Sequence, residues 1–314
     1  MTKPSPRTSS TCPTKAANTP LPDNTHAIAH AWAQVGAALS PYPDCPLPTW
    51  TGGGDTLHQH LIVIANAHEA DIVGQLRHLE TAASRFGKVG FVGPASVRRL
   101  VEWSLGERVV VLSRMPRDVS DWDLRCTLGA LARALGPHAA AAHDGMAHLR
   151  VAATCARHWR DRLAASAQHG LCVGIAWPGA SNLTPLNPLS LLLSVPGVSW
   201  VPLGTHDHPM PTDTTPPPHV DWMDWRADCD DLADEAALVD NLDLVISLDI
   251  ARTHLAGGLG VPVWHVDTTV QPAVAGYAQM RLFCAAARND WRGAVEAAAQ
   301  ALHSLSAEFQ GWSR

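Results

Sequence analysis

The sequence is poor in several things, and each shortage excludes a class of protein. Phenylalanine and tyrosine number only four and two in 314 residues. Basic residues do not outnumber acidic ones: 23 Lys and Arg face 29 Asp and Glu, a formal net charge of −6. That balance argues against a nucleic-acid footprint or an anionic-membrane binder. No apolar run approaches the roughly 18–20 residues needed to span a bilayer, and the polar N-terminus lacks the apolar core of a signal peptide. The seven cysteines are odd in number and scattered, with no CxxC pair, which suits a reducing cytoplasm better than a disulfide framework. No GxGxxG follows any apolar strand, so nothing points to a dehydrogenase.

Hydrophobic residues make up 46% of the chain, an ordinary value for a globular protein, and its length suggests two domains. The twelve tryptophans read as a compositional bias, not as a stacking surface for bases. Residues 1–24 are a disordered arm by composition, and His26–Leu39 has helical spacing. A Pro- and Gly-rich connector follows over Ser40–Asp55. Short apolar runs then alternate with helical patterns. His60–Asn66, Gly87–Val92, Arg108–Leu112 and Asp121–Cys126 are the expected strands of a first unit. Cys172–Trp177, Val198–Leu203, Leu242–Leu248, Val261–Val266 and Met280–Cys284 belong to a second. Alternation of this kind predicts parallel sheets covered by helices. The expected organisation is an arm over 1–56, one α/β lobe over 57–169 and another over 170–314 that ends in a closing helix. Clefts between lobes are favoured ligand sites.

The most informative stretch is Asn241–Val266, NLDLVISLDIARTHLAGGLGVPVWHV. A buried strand leads to Asp249, which is well placed to cap a helix from Ile250 to Leu259, with Gly260 as its exit and a second strand beyond. In such a βαβ unit, ligands sit at the carboxyl ends of the strands, where the helix start offers free N–H groups. Gly257 and Gly258 fit close packing of the helix. His26 and His30, and His206 with Asp207 and His208, are weak metal candidates; solvated surface histidines explain both groups better.

LADEAALVDNLDLVISLDIARTHLAGGLGVPVW (Leu232–Trp264) resembles the nucleotide-sugar lobe of glycosyltransferases. It is similar to the family nine, heptosyltransferase-like enzymes and to the glycosyltransferase domains that follow tetratricopeptide repeats in many bacterial proteins. PTWTGGG, IVIANAHEADIVGQLRHL, WDLRCTLGALARALG, GIAWPG and MRLF…DW match in the same order, so the resemblance covers about Pro48–Leu302. It implies the GT-B fold, two Rossmann-like lobes facing a cleft. It also implies transfer of a hexosyl or heptosyl group from a nucleotide-diphosphate donor to an acceptor hydroxyl on a glycan, lipid or protein, with no metal and no cofactor. Asp71 aligns with the candidate base of the family, with Glu69 and His68 as rivals in the same loop. An N-cap role starting the next helix explains Asp71 equally well.

Donor contacts implied by the resemblance are Asp249, Ile250, Thr253, His254, Gly179 and Ser181. Asp249 and His254 match the family motif, whereas Ile250 stands where a hydroxyl is usual. The lost donor is worth about 1–3 kcal/mol if a phosphate oxygen is left unpaired. Basic residues expected over Ser181–Ser190 and Asp267–Gln279 are absent; Arg252 and Arg281 are the nearby substitutes. These departures keep open a second reading, a catalytically silent relative that binds or regulates a partner.

Overall fold

A computed structural model of the chain describes residues 45–65, 69–137, 145–177, 188–204, 216, 218–267, 276–284 and 291–312. The expected helix at 26–39, the His206–His208 group, Gly179 and Ser181 lie outside the described residues.

The first lobe is a four-stranded parallel sheet built from β1 (His60–Ile64), β2 (Lys88–Val92), β3 (Val110–Leu112) and β4 (Leu124–Thr127), in the order β3-β2-β1-β4. Among the described residues this half of the chain has the α-helices α1 (Glu69–Gln75), α2 (Arg77–Arg85), α3 (Ala95–Leu105), α4 (Leu128–Leu135) and α5 (Ala153–Ser166). The second lobe is a six-stranded, all-parallel sheet of β5 (Leu171–Ala176), β6 (Val198–Pro202), β7 (Asp221–Trp222), β8 (Leu244–Ser247), β9 (Val263–Asp267) and β10 (Met280–Cys284). Its order is β10-β9-β8-β5-β6-β7. Among the described residues the helices that accompany it are α6 (Pro188–Leu193), α7 (Leu232–Val239), α8 (Ile250–Leu259) and α9 (Trp291–Trp312). The unbroken apolar runs follow from this topology, because a parallel sheet is buried on both faces. On β1, Leu61 and Val63 enter the helix-covered core, while Ile62 and Ile64 face the opposite side.

That opposite side is closed by loop residues, among them Cys45, Leu47, Met115 and Trp122. The connector is therefore not part of a flexible arm from residue 45 onward. Trp50 is buried edge-to-face on Phe86 at 5.0 Å, and its amide donates to Arg125 O at 2.8 Å. A few large apolar side chains hidden among prolines and glycines are enough to fix the segment. The helical segment that follows the loop holding His68, Glu69 and Asp71 is two helices, α1 and α2, with a break at Leu76.

One apolar core runs through both lobes, joining Leu61, Val63 and Leu100 of the first to Ala236, Leu255 and Val263 of the second. α1 packs on α8, and α3 packs on α7. At the latter contact, Arg99 reaches Asp231 at 3.1 Å and Asp234 at 2.5 Å. On the linking helix α5, the Arg162 guanidinium lies 5.1 Å from the Trp159 ring and 4.7 Å from Trp225, and pairs with Asp228 at 2.6 Å. Here and at Trp50, Trp122, Trp177 and Trp200, tryptophan is buried packing material. Among the described residues, all six cysteines are free, and no helix is long and apolar enough to cross a membrane.

Candidate active site at the start of α8

The strand orders locate two topological switch points, one between β1 and β4 and one between β5 and β8. In open parallel sheets, the crevice at a switch point is where ligands bind. α1 follows β1 and α8 follows β8, and these two helices pack on each other. The helices that leave the two switch points thus meet at the lobe interface.

Asp249 caps α8: its backbone is extended, and its carboxylate accepts from the Arg252 amide at 2.9 Å. Gly260 ends the helix in the left-handed conformation, φ 84°, which glycine adopts without a Cβ penalty. Ser247 fixes the turn, donating through Oγ to Asp249 O at 2.6 Å and accepting from its amide at 3.0 Å. The Arg252 and Thr253 amides are both taken up by Asp249. Those of Ile250 and Ala251 have no partner among the described residues, and they are the donors this helix start can offer. Ile250 is exposed at the mouth, at 38%.

Thr253 does not present its hydroxyl to that mouth. It is fully buried, and its Oγ1 is shared between Asp249 O and His265 Nδ1, both at 2.8 Å. Arg252 is not a free cation for a ligand either. It is buried, with Nε and Nη2 gripping the Glu235 carboxylate at 3.0 and 2.9 Å, while Glu235 also accepts from the Gly204 amide at 2.9 Å. A buried cation stays charged only when paired in this way. Arg281 stacks on Trp264 and Phe283, which pack on the sheet face away from α8. Neither arginine substitutes for the missing basic residues of the second lobe.

His254 sits at the lobe contact. Its Nδ1 bonds the Tyr277 hydroxyl at 2.7 Å. The opposite edge of the ring lies on Gly74 of α1, where a Cβ would come within 2.8 Å of Cε1 and Nε2. Burial, with smaller contributions from Arg77, His148 and His265, pushes its pKa down to about 4, so the imidazole is neutral at physiological pH. Gly257 and Gly258 serve close packing as expected. A Cβ on Gly257 would meet the Tyr277 ring at 2.4 Å, and one on Gly258 would meet Leu149 at 2.7 Å.

Asp71 and Glu69 lie within the first turn of α1. The loop assignment of Glu69 and Asp71, and the reading of Asp71 as an N-cap, are thus corrected: Glu69, two residues before Asp71, is already helical. Asp71 stands one turn ahead of Gly74, the residue in contact with His254. Sequence reasoning missed Glu235, Tyr277 and Arg77 as parts of the site. Glu235 was detectable as a carboxylate inside the apolar run LADEAALV, and Tyr277 as one of only two tyrosines. Among the described residues, no group of three or more His, Cys, Asp or Glu side chains is disposed to hold a metal.

Solved structures with the same arrangement carry the fold assignment. A glycosyl transferase family 9 protein from Veillonella parvula superposes with a TM-score of 0.57 at 10% identity, covering 82% of this chain and 100% of that one. The chain has the GT-B fold. The iron-containing dodecameric glycosyltransferase TibC of enterotoxigenic E. coli gives 0.53 at 11% identity, over 80% of this chain and 77% of TibC. The E. coli ADP-heptose heptosyltransferase II gives 0.52 at 11% identity, over 79% and 99%. No protein-family profile and no curated protein sequence matches the chain.

Proposed function

We propose that this GT-B protein is a glycosyltransferase that holds a nucleotide-diphosphate sugar at the start of α8 and transfers the sugar to an acceptor hydroxyl, without a metal. The observation that carries this reading is the meeting of the two switch-point helices. α8 offers its dipole and the Ile250 and Ala251 amides, while α1 brings the turn containing Asp71 to the other side of the interface. The acceptor oxygen attacks the anomeric carbon as Asp71 takes its proton. The bond from that carbon to the phosphate oxygen breaks with inversion, and the nucleoside diphosphate leaves with its charge held by backbone amides. Glu69 is the alternative base. Asp249 sets the amide geometry as a cap and His254 offers a neutral contact; Gly179 and Ser181 are further donor contacts in this reading. The solved neighbour named for ADP-heptose makes ADP-linked sugars the first donors to try. A glycan, lipid or protein acceptor fits the reading, and a cytoplasmic setting supplies such donors.

A second reading is a silent relative that binds a nucleotide or a partner without transfer. It is favoured by the internal use of the Thr253 hydroxyl and by the neutralisation of Arg252 by Glu235. Transfer and donor hydrolysis by wild-type and Asp71→Asn proteins separate the two. The transferase reading expects loss of turnover by orders of magnitude with donor binding retained. Donor binding with no turnover in the wild type supports the silent reading.

A further inference from the structure

The two faces of the first-lobe sheet are covered by different kinds of structure. On one face, α1 to α4 pack on Leu61, Val63 and Phe91. On the other, where Ile62, Ile64 and Val92 lie, no helix contributes among the described residues, and loop segments form the cover. A parallel sheet is normally buried on both faces, usually by helices. The loop cover gives out towards β3, the edge strand. Val110 pairs in register with Gly90 and Leu112 with Val92. Residues two apart on a strand share a face, so Val110 and Leu112 stand on the loop-covered side. The Trp122 ring roofs Gly90, lying 2.5 Å from where a Cβ would be. Beyond it Val110 is 41% exposed, and Leu112 and Val119 are half-buried. An edge strand with an uncovered apolar face is a liability that proteins close with a helix or loop.

The chain carries a segment suited to that face. The described residues begin at Cys45, and Cys45 is itself buried against this side of the sheet. The preceding chain therefore arrives there. Within it, His26–Leu39 places Ile28, Trp32, Val35 and Leu39 at i, i+4, i+7 and i+11, which is one apolar stripe of a helix. His26, His30 and Gln34 fall on the opposite side of the same helical wheel. Residues 40–44 separate Leu39 from Cys45, a tether that reaches at most about 20 Å. The four strands span about 15 Å at the usual spacing, so the tether allows the helix to lie over β3. We propose that residues 26–39 form an amphipathic helix that docks on the β3 end of this face. The stripe of Ile28, Trp32, Val35 and Leu39 would meet Val110 and Leu112 and supply the helical layer that the sheet lacks there. The occupant is the chain's own arm, not a second copy. The docking is independent of the transferase reading, so it stands even if no sugar is transferred.

The test is amide hydrogen exchange of the full chain, read by mass spectrometry, beside a synthetic peptide of residues 26–39. A helix of that length is marginal in water on its own. Docking therefore predicts exchange over 26–39 at least about tenfold slower in the protein than in the peptide. Val110→Asp should return the segment to the peptide's rate. Met146→Asp, at a 60% exposed apolar residue between α4 and α5, should leave it protected. A photo-reactive p-benzoylphenylalanine in place of Val110 should cross-link to residues 26–39 at the mass of a monomer. Should Val110→Asp fail to fold, the wild-type exchange and the cross-link still decide. Exchange of 26–39 at the peptide's rate in the wild type overturns the proposal. So does protection that a folded Val110→Asp protein retains, or a cross-link at the mass of a dimer.

Discussion

Gly257→Ala probes the close approach on which the site is built. The new Cβ would lie 2.4, 2.5 and 2.7 Å from Cγ, Cδ2 and Cδ1 of Tyr277. Carbon atoms rest at about 3.5–4.0 Å, so the ring must retreat by roughly 1 Å. It is not free to do so, because His254, Arg77 and the bridge to Gly145 hold it on three sides. Overpacking of this kind costs about 1–3 kcal/mol, and the gain in helix propensity returns about 1 kcal/mol. The net expectation is destabilisation of about 1–2 kcal/mol, read from the urea midpoint by tryptophan fluorescence. Gly129→Ala is the internal control: that glycine is on α4, exposed, with nothing within 4 Å of an added Cβ. It should be neutral or gain up to about 1 kcal/mol. In a Tyr277→Ala background, the Gly257→Ala penalty should vanish, since neighbouring substitutions couple. A Gly257→Ala protein as stable as wild type refutes the packing described for α8 and Tyr277.

Two other perturbations follow from buried charge. Arg252→Met leaves Glu235 buried with, among the described residues, the Gly204 amide as its remaining partner, at a cost of about 3–5 kcal/mol, and most of it should return in Arg252→Met/Glu235→Leu; equilibrium denaturation of both variants checks this. His254 has a folded pKa near 4 against an ordinary 6.5. The unfolded chain therefore takes up its proton first. Stability is fully present above about pH 6.5 and falls by up to about 3 kcal/mol as the pH drops towards 4. His265, also lowered by burial, adds in the same direction. Urea midpoints measured across that window should slope less steeply in His254→Asn than in the wild type.

The fold was legible because local signals agreed with it. α8 and β10 have the bounds their apolar patterns and caps suggested, and Asp249 and Gly260 do act as the ends of α8. What stayed hidden depends on partners distant in sequence. The break at Leu76 splits one apparent helix into α1 and α2, and nothing in that segment's own periodicity announces it. Cys45 and Leu47 looked like a connector until the side of β1 and β2 that carries Ile62, Ile64 and Val92 supplied their partners, and Trp50 until Phe86 supplied its own. The motif residues were visible, but not the directions in which they point. Thr253 turns inward because His265, twelve residues on, offers a nitrogen, and Arg252 is neutralised by Glu235, seventeen residues back. A linear pattern does not distinguish such inward bonds from contacts to a ligand.

Binding of a nucleoside diphosphate at the start of α8 is tested most directly by Ile250→Glu. Ile250 is already exposed, and a carboxylate in the first turn favours the helix dipole by about 0.3–1 kcal/mol, so the substitution should spare the fold while repelling an anion at that mouth. Titration calorimetry with ADP, UDP, GDP and their sugar conjugates should show one of them binding the wild type and losing at least tenfold in affinity with Ile250→Glu. Failure of every nucleotide to bind the wild type, or equal binding by Ile250→Glu, contradicts the account.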